Sequence, residues 1–440
     1  MPSLTVTHAA AWVVLGVVTP PMLALGAPGD VADLLAAARG APPALCAMAA
    51  RSVGNGWGGG YDAPAPPLPQ ARERRWRDPL SADEQRLLLS NLATEDPCVQ
   101  EVAIRLLGTQ RGDLVVSGLR ERLAAPDSAL RAVAALGLGL VDAESAVEAL
   151  LRAARDRVAR VRANAIWALG RSNDGRALRP AVSALGDDAA LVRETAAGAI
   201  GRLDSASAVP ALLRVLREDE VPNVRRTAAW ALGTLGERSA AEGLAAALRG
   251  DKDATVREMS AWALGNIEAP GSVPTLAAAA RGDADDAVRE SAAWALGNLG
   301  DESAAVALGQ VVGGDRSAKV RGTAAWALGQ LDLRTAPKGL MDALADSSTR
   351  LRTRAAWALA EIGDSSAAPA LWTALGKERD ATAMKAMVRA LIHSGERTER
   401  LTRLLESKNP EVREMAIRGL AGRNGMGPWP WPEPRPRPFP

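Results

Sequence analysis

The feature that most constrains this chain is a period. Aligned on the apolar residue that usually precedes an arginine, the sequence repeats at Val99, Leu130, Val161, Val192, Val224, Val256, Val288, Val320, Leu351, Ala383 and Val412, with intervals of 29 to 32 residues. A twelfth unit aligns at Leu45 (LCAMAARSVG), separated from the next by an insertion that holds GNGWGGG and APAPPLP. A unit of about thirty residues cannot bury an apolar face by itself, so such units must stack, and the first of them reads as an atypical cap.

Two helices can be read in each unit. The first, as in AVPALLRVLR from Ala208 to Arg217, carries proline in its opening turn at Pro210, Pro274, Pro337 and Pro369, where a missing N–H costs nothing. A polar turn follows, with Asp156, Asp187, Asp219, Asp251, Asp283, Asp315 and Asp346 five residues before the alignment position. Those carboxylates are placed to cap or charge-stabilise the second helix. That helix reaches Gly170, Gly201, Gly233, Gly265, Gly297 and Gly329, glycines suited to stop it or to let a neighbouring backbone approach. At 100° per residue, Val288, Ala292, Ala295, Leu296 and Leu299 share one face and form the core stripe. The alanine-rich composition, with aromatics at 3%, fits closely packed helices rather than sheet.

Six of the twelve tryptophans occupy one slot, at Trp167, Trp230, Trp262, Trp294, Trp326 and Trp357; Gly198 interrupts the row. The slot lies about 240° round from the alignment position, on a different stripe from the core.

The units resemble short bacterial HEAT repeats of the class also found in phycobilin lyases. The pattern V-R-x-x-A-x-x-A-L-G-x-[IL]-G-[DE]-x-x-A is matched at Val224 to Ala240, Val256 to Ile267 and Val288 to Ala304. The resemblance covers roughly Asp30 to Gly422 and implies an all-α, right-handed α-solenoid of about eleven to twelve stacked helix pairs, a fold that serves mostly as a platform for other proteins. It also implies that the second helices line the concave side, with the tryptophans on or beside it. Two readings of the ladder stand together. Each indole seals the stack against the next helix, or the row offers a partner-binding strip. Flanking residues that vary between units, among them Asn266, Asn298 and Gln330, would supply selectivity.

The arginines Arg162, Arg193, Arg225, Arg257, Arg289, Arg321 and Arg352, with Arg131 and Arg413 at the ends, could be taken for a phosphate track. The parallel row that includes Asp219, Asp251, Asp283 and Asp315 argues for a structural ladder instead, each arginine pairing with the aspartate of its own or the adjacent turn. The formal net charge is only +2, which names no nucleic acid or anionic membrane as partner.

Little catalytic chemistry is on offer. Of two histidines, His8 lies just before the N-terminal apolar run, within the expected signal, and His393 stands alone. The paired ligands of deoxyhypusine hydroxylase, which shares the repeat type, are absent, so no metal and no cofactor are expected. The glycine run Gly54 to Gly60 has no following lysine and reads as a loop. The apolar run Ala9 to Val18, followed by Ala24-Leu25-Gly26, reads as a signal peptide over 1–26, which places the mature chain in the periplasm or outside the cell, or in the cytoplasm if the signal does not function. In an exported chain, Cys46 and Cys98, at equivalent places in adjacent units, are expected to form a disulfide. The remaining divisions are capping helices over 27–60, a proline-rich insertion over 61–80, the solenoid over 81–423 and an extended Pro/Trp/Arg-rich tail over 424–440. The functional expectation is a non-enzymatic scaffold that binds a protein or peptide along its concave face. The alternative is a phycobilin-lyase-like enzyme, or a subunit of one, holding a small molecule in the groove.

Overall fold

A computed structural model describes residues 31–53, 79–141, 144–395 and 399–421. The segment expected to be a signal peptide, the glycine run, most of the insertion and the proline-rich tail lie outside those residues. Within them the chain forms twelve successive helix pairs and no strand. Val209–Glu218 pairs with Pro222–Leu235, Ala241–Gly250 with Ala254–Asn266, Val273–Gly282 with Asp286–Leu299, and Ala305–Gly314 with Ala318–Gln330. The first pair is Val31–Ala38 with Pro43–Val53, and the last is Glu399–Arg403 with Pro410–Leu420.

Local chemistry sets the helix ends. Pro210, Pro274 and Pro369 lie in the first turns of their helices. Pro337 instead stands just before the short helix Lys338–Asp342. Second helices are capped by Asp127, Asp253, Asp285, Ser348 and Asp380, whose side chains accept backbone N–H bonds from the first turn. The recurring aspartates sit two residues further back. Asp283, for example, accepts the N–H of the capping residue Asp285 at 2.9 Å, so this row shapes the turn that precedes the helix rather than capping it.

The core stripe runs along the second helices. Val288, Ala292, Ala295 and Leu296 are fully buried. Second helices of adjacent units touch along most of their length, whereas adjacent first helices meet much less. A stack packed more closely on one side bends toward that side, which makes the second helices its inner edge.

Glycine permits that close approach. Gly201, Gly233, Gly265, Gly297 and Gly329 lie inside helices that continue past them; of this row only Gly170 closes its helix. A Cβ at Gly297 would fall 2.8 Å from Trp326 Cζ3 and 2.8 Å from Ala327 Cα, and one at Gly233 would fall 2.8 Å from Trp262 Cζ3. Each indole of one unit lies over the glycine of the unit before it. The helices stop at other residues, such as Gly300, whose φ of 66° places it in the left-handed region.

Cys46 and Cys98 form a disulfide with a Cα separation of 5.4 Å. They sit near the starts of the helices Pro43–Val53 and Pro97–Leu107 and tie the first unit to the second.

The glycine contacts generate a paired test. Gly297→Ala should destabilise the chain by about 1–3 kcal/mol through overpacking. Gly250→Ala, where an added Cβ meets nothing within 4 Å, should be neutral or stabilising by up to about 1 kcal/mol. Urea unfolding of the two variants checks the difference, and equal effects would remove the packing role assigned to the glycine row.

Candidate partner-binding face

Along the interhelix turns the arginines and carboxylates form a continuous rail, and each arginine reaches forward by one unit. Arg257 Nε and Nη2 donate to Asp283 at 2.8 and 2.9 Å, while Nη1 donates to the Asp251 carbonyl in its own turn at 2.9 Å. The same arrangement joins Arg131 to Asp156, Arg162 to Asp187, Arg193 to Asp219, Arg225 to Asp251 and Arg289 to Asp315. Arg321 holds Asp346 more loosely, at 3.2 Å. The pairing choice follows from geometry: an arginine at the start of a second helix lies beside the next turn, whereas its own turn presents a carbonyl.

The rail has one member that the aspartate pattern did not reveal. Arg352 donates to both oxygens of Glu378, at 2.6 and 2.9 Å. Glu378 lies five residues before Ala383, the position held by aspartate in seven earlier units. Position within the repeat, rather than residue type, was the signal available for it. Arg352 holds the Glu378 carboxyl down to about 2, and the hydrogen bond from Arg131 likewise lowers Asp156.

The tryptophan row runs along the opposite half of the second helices. Trp294, Trp326 and Trp357 are 8%, 4% and 7% exposed, while Trp167, Trp230 and Trp262 are half-buried. Four residues beyond each tryptophan stands a polar position, and at three of them the side chain ties back to the preceding unit. Asn298 Nδ2 donates to the Gly265 carbonyl at 2.9 Å, Asn266 Nδ2 to the Gly233 carbonyl at 3.2 Å, and Arg171 Nε to the Gly139 carbonyl at 2.9 Å. His393 Nδ1 lies 3.2 Å from the Ala360 carbonyl in the equivalent place. Asn266, Asn298 and Gln330 are nevertheless exposed, so the first two hold the stack with one group and face solvent with the rest.

The charge on the inner edge varies from unit to unit. Four residues before each tryptophan, or before Gly198 in its slot, stand Ala163, Glu194, Arg226, Glu258, Glu290, Gly322 and Thr353. Burial, then the nearby Asp285 and Glu290, raise the Glu258 carboxyl above its usual value. Glu290 accepts from the Thr323 hydroxyl at 3.2 Å and pairs with Lys319 at 2.7 Å. Burial lowers the Arg354 guanidinium to about 10. Among the described residues no group of three or more His, Cys, Asp and Glu side chains converges as metal ligands.

The rail predicts a specific acid sensitivity. A carboxyl whose folded value is depressed contributes stability above its unfolded value and loses it as pH falls toward the folded one. Replacing Glu378 with Gln should therefore destabilise the chain by roughly 2–3 kcal/mol at pH 7, with the deficit shrinking between pH 5 and 2. Urea midpoints measured across that range check this; a deficit independent of pH would assign the loss to packing.

The family model for HEAT repeats matches residues 116–190, 178–264, 241–316 and 307–392. Among solved structures, importin beta is similar at a TM-score of 0.58 and 14% identity, over 90% of this chain and 68% of that one. Kap95p, in a structure with RanGDP, is similar at a TM-score of 0.53 and 16% identity over 76% of this chain; the match spans 56% of the length of Kap95p. Human deoxyhypusine hydroxylase aligns at 26% identity over 59% of this chain and 99% of that one, but with a TM-score of 0.27. No curated protein sequence matches the chain. The repeated helix pairs, their closely stacked second helices and four overlapping matches that together run from residue 116 to residue 392 make this chain a member of the HEAT-repeat family.

Proposed function

We propose that this solenoid is a non-catalytic platform that takes a protein or peptide partner along its inner edge. One observation carries the reading. The recurring arginines, carboxylates, glycines and tryptophans are all engaged in joining units, so a constant frame presents inner-edge side chains that differ from unit to unit. Glu194, Arg226 and Glu258 lie on one side of the row and Asn266, Asn298 and Gln330 on the other. A fixed backbone with changing polar groups suits selective recognition of an extended surface. The indole edges of Trp167, Trp230 and Trp262 add apolar contact beside them. The resemblance to Kap95p, which binds RanGDP, supports the same use of the fold.

Export is part of the proposal. A disulfide between Cys46 and Cys98 suits an oxidising compartment, where such bonds persist. Protein recovered under native conditions with alkylating agent present should show no free thiol before reduction. Two reactive thiols would overturn this part of the reading.

The platform itself is tested by quantitative capture from source-cell extract, comparing the unaltered chain with two variants. Glu194→Arg with Gln330→Arg alters the inner edge, and Glu242→Arg, at an exposed position on a first helix, alters the outer side. The unaltered chain and the outer variant should enrich the same few proteins, and the inner variant should lose them by at least tenfold. Equal retention by both variants would displace binding from the inner edge. Enrichment of nothing would overturn the platform.

A further inference from the structure

Two contacts within the chain show how its inner edge holds a cation. At the seam after the Val288 unit, Glu290 stands two residues past the alignment position, and Lys319, one residue before that of the next unit, places its Nζ 2.7 Å from the carboxylate. Thr323 donates its hydroxyl to the same carboxylate at 3.2 Å. The contact recurs with its charges reversed where Lys385 pairs with Glu411. In the tryptophan row, Arg171 lays its guanidinium over the Trp167 indole, 5.1 Å from the ring centre.

Glu258 and Trp262 stand at the same two positions of the repeat, but the chain supplies neither cation. Glu258, Ala287 and Ser291 lie 32 residues before Glu290, Lys319 and Thr323, so alanine replaces the lysine. Asn266 stands four residues past Trp262, where Arg171 stands past Trp167, and its amide donates to the Gly233 carbonyl. Glu258 and Trp262 are one turn apart on one face of their helix, and both are half-buried. Among the described residues no hydrogen bond holds the Glu258 carboxylate; burial, Asp285 and Glu290 raise it, and Lys319 and Arg226 offset them only in part. Ser291 Oγ, across the seam at the register from which Thr323 reaches Glu290, is fully buried and has no partner among the described residues. A carboxylate drawn from water without a counter-ion is unfavourable, and so is a buried hydroxyl without a bond. A cation at this seam would relieve both.

We propose that Glu258 and Trp262 form a socket for a lysine side chain of the partner protein, its ammonium standing to Glu258 as Lys319 stands to Glu290 and its methylene stem lying along the indole. The assignment rests on the platform reading and gives one contact of that platform its chemistry. Lysine suits the site because its apolar stem can cover a ring while its compact head reaches a single carboxylate beyond it.

Other carboxylates of the inner edge fit less well. Glu290 already has Lys319. Glu361 has His393 and Arg389 beside it. Glu194 is followed one turn on by Gly198 rather than by an indole, so a lysine stem would find no ring there.

The test uses the full chain and a capped tripeptide, acetyl-glycyl-lysyl-glycine amide, with a diazirine in the lysine side chain. Irradiation should place adducts chiefly on the helices Ala254–Asn266 and Asp286–Leu299. Excess peptide without the diazirine should suppress them, and a peptide with norleucine in place of lysine should not. Glu258→Gln, which removes the charge, should lower these adducts at least fivefold. Ala287→Lys, which supplies the chain's own ammonium at the register of Lys319, should do the same. Adducts spread evenly over the surface, adducts unchanged in either variant, or equal suppression by the norleucine peptide would overturn the socket. No cellular partner enters this measurement, so its failure with extract capture intact removes the socket and leaves the platform, and the reverse result removes the platform alone.

Discussion

Everything in this fold hangs on a charge-assisted link between consecutive turns. A guanidinium fixed by its own turn's carbonyl reaches forward and grips the next turn's carboxylate with two parallel bonds. That carboxylate in turn accepts the N–H of the residue that opens its own helix, as Asp251 does for Asp253. Each link joins backbone to backbone through two side chains, so the orientation of one unit sets that of the next. The pairs are largely buried, with side-chain exposures of 4% and 6% for Arg289 and Asp315, where a bidentate contact counts for more than at the surface. Losing one partner would strand the other in a low-dielectric seam.

The opposite half of the second helices is joined by shape. An indole covers the glycine of the unit before it, and the helix axes approach only because that glycine has no Cβ. Where Gly198 replaces the tryptophan, Gly170 faces Ala199 instead, with an added Cβ only 2.7 Å from the alanine Cβ. Glycine is therefore needed even at the seam without an indole, and close backbone approach is the more general requirement. The two devices divide the work. The polar rail fixes the direction of each step, and the glycine seam sets its length.

Much of this was legible in the sequence, for physical reasons that differ by element. The period, the helix pairs and the core stripe follow from residue spacing, because a 31- or 32-residue unit with apolar positions on one helical face has few other ways to bury them. The arginine and aspartate rows were legible as partners, but the identity of the neighbour was not, because sequence spacing does not say which turn a side chain reaches. It could have been found from substitutions within the chain. Gln100 is followed by Ala125, and Met384 by Ser407; where the arginine is lost, the carboxylate of the next unit is lost with it. Glu378 was missed because the pattern was read by residue type. The glycines were ambiguous, since helix termination and close packing select the same residue. Asn266 and Asn298 looked like free recognition groups, because a hydrogen bond to a carbonyl in the preceding unit leaves no mark in local sequence.

A rail whose links are all alike has a consequence for how such a chain can change length. From Arg131 to Glu378 every seam presents the same forward cation and the same receiving anion, so duplicating or deleting a whole unit in that stretch leaves no charge without its counterpart. The interruptions occur only where both halves of a link disappear together. Growth and shrinkage in whole units are thus tolerated by the electrostatics, and the solenoid can be lengthened by copying one repeat rather than by redesigning a surface.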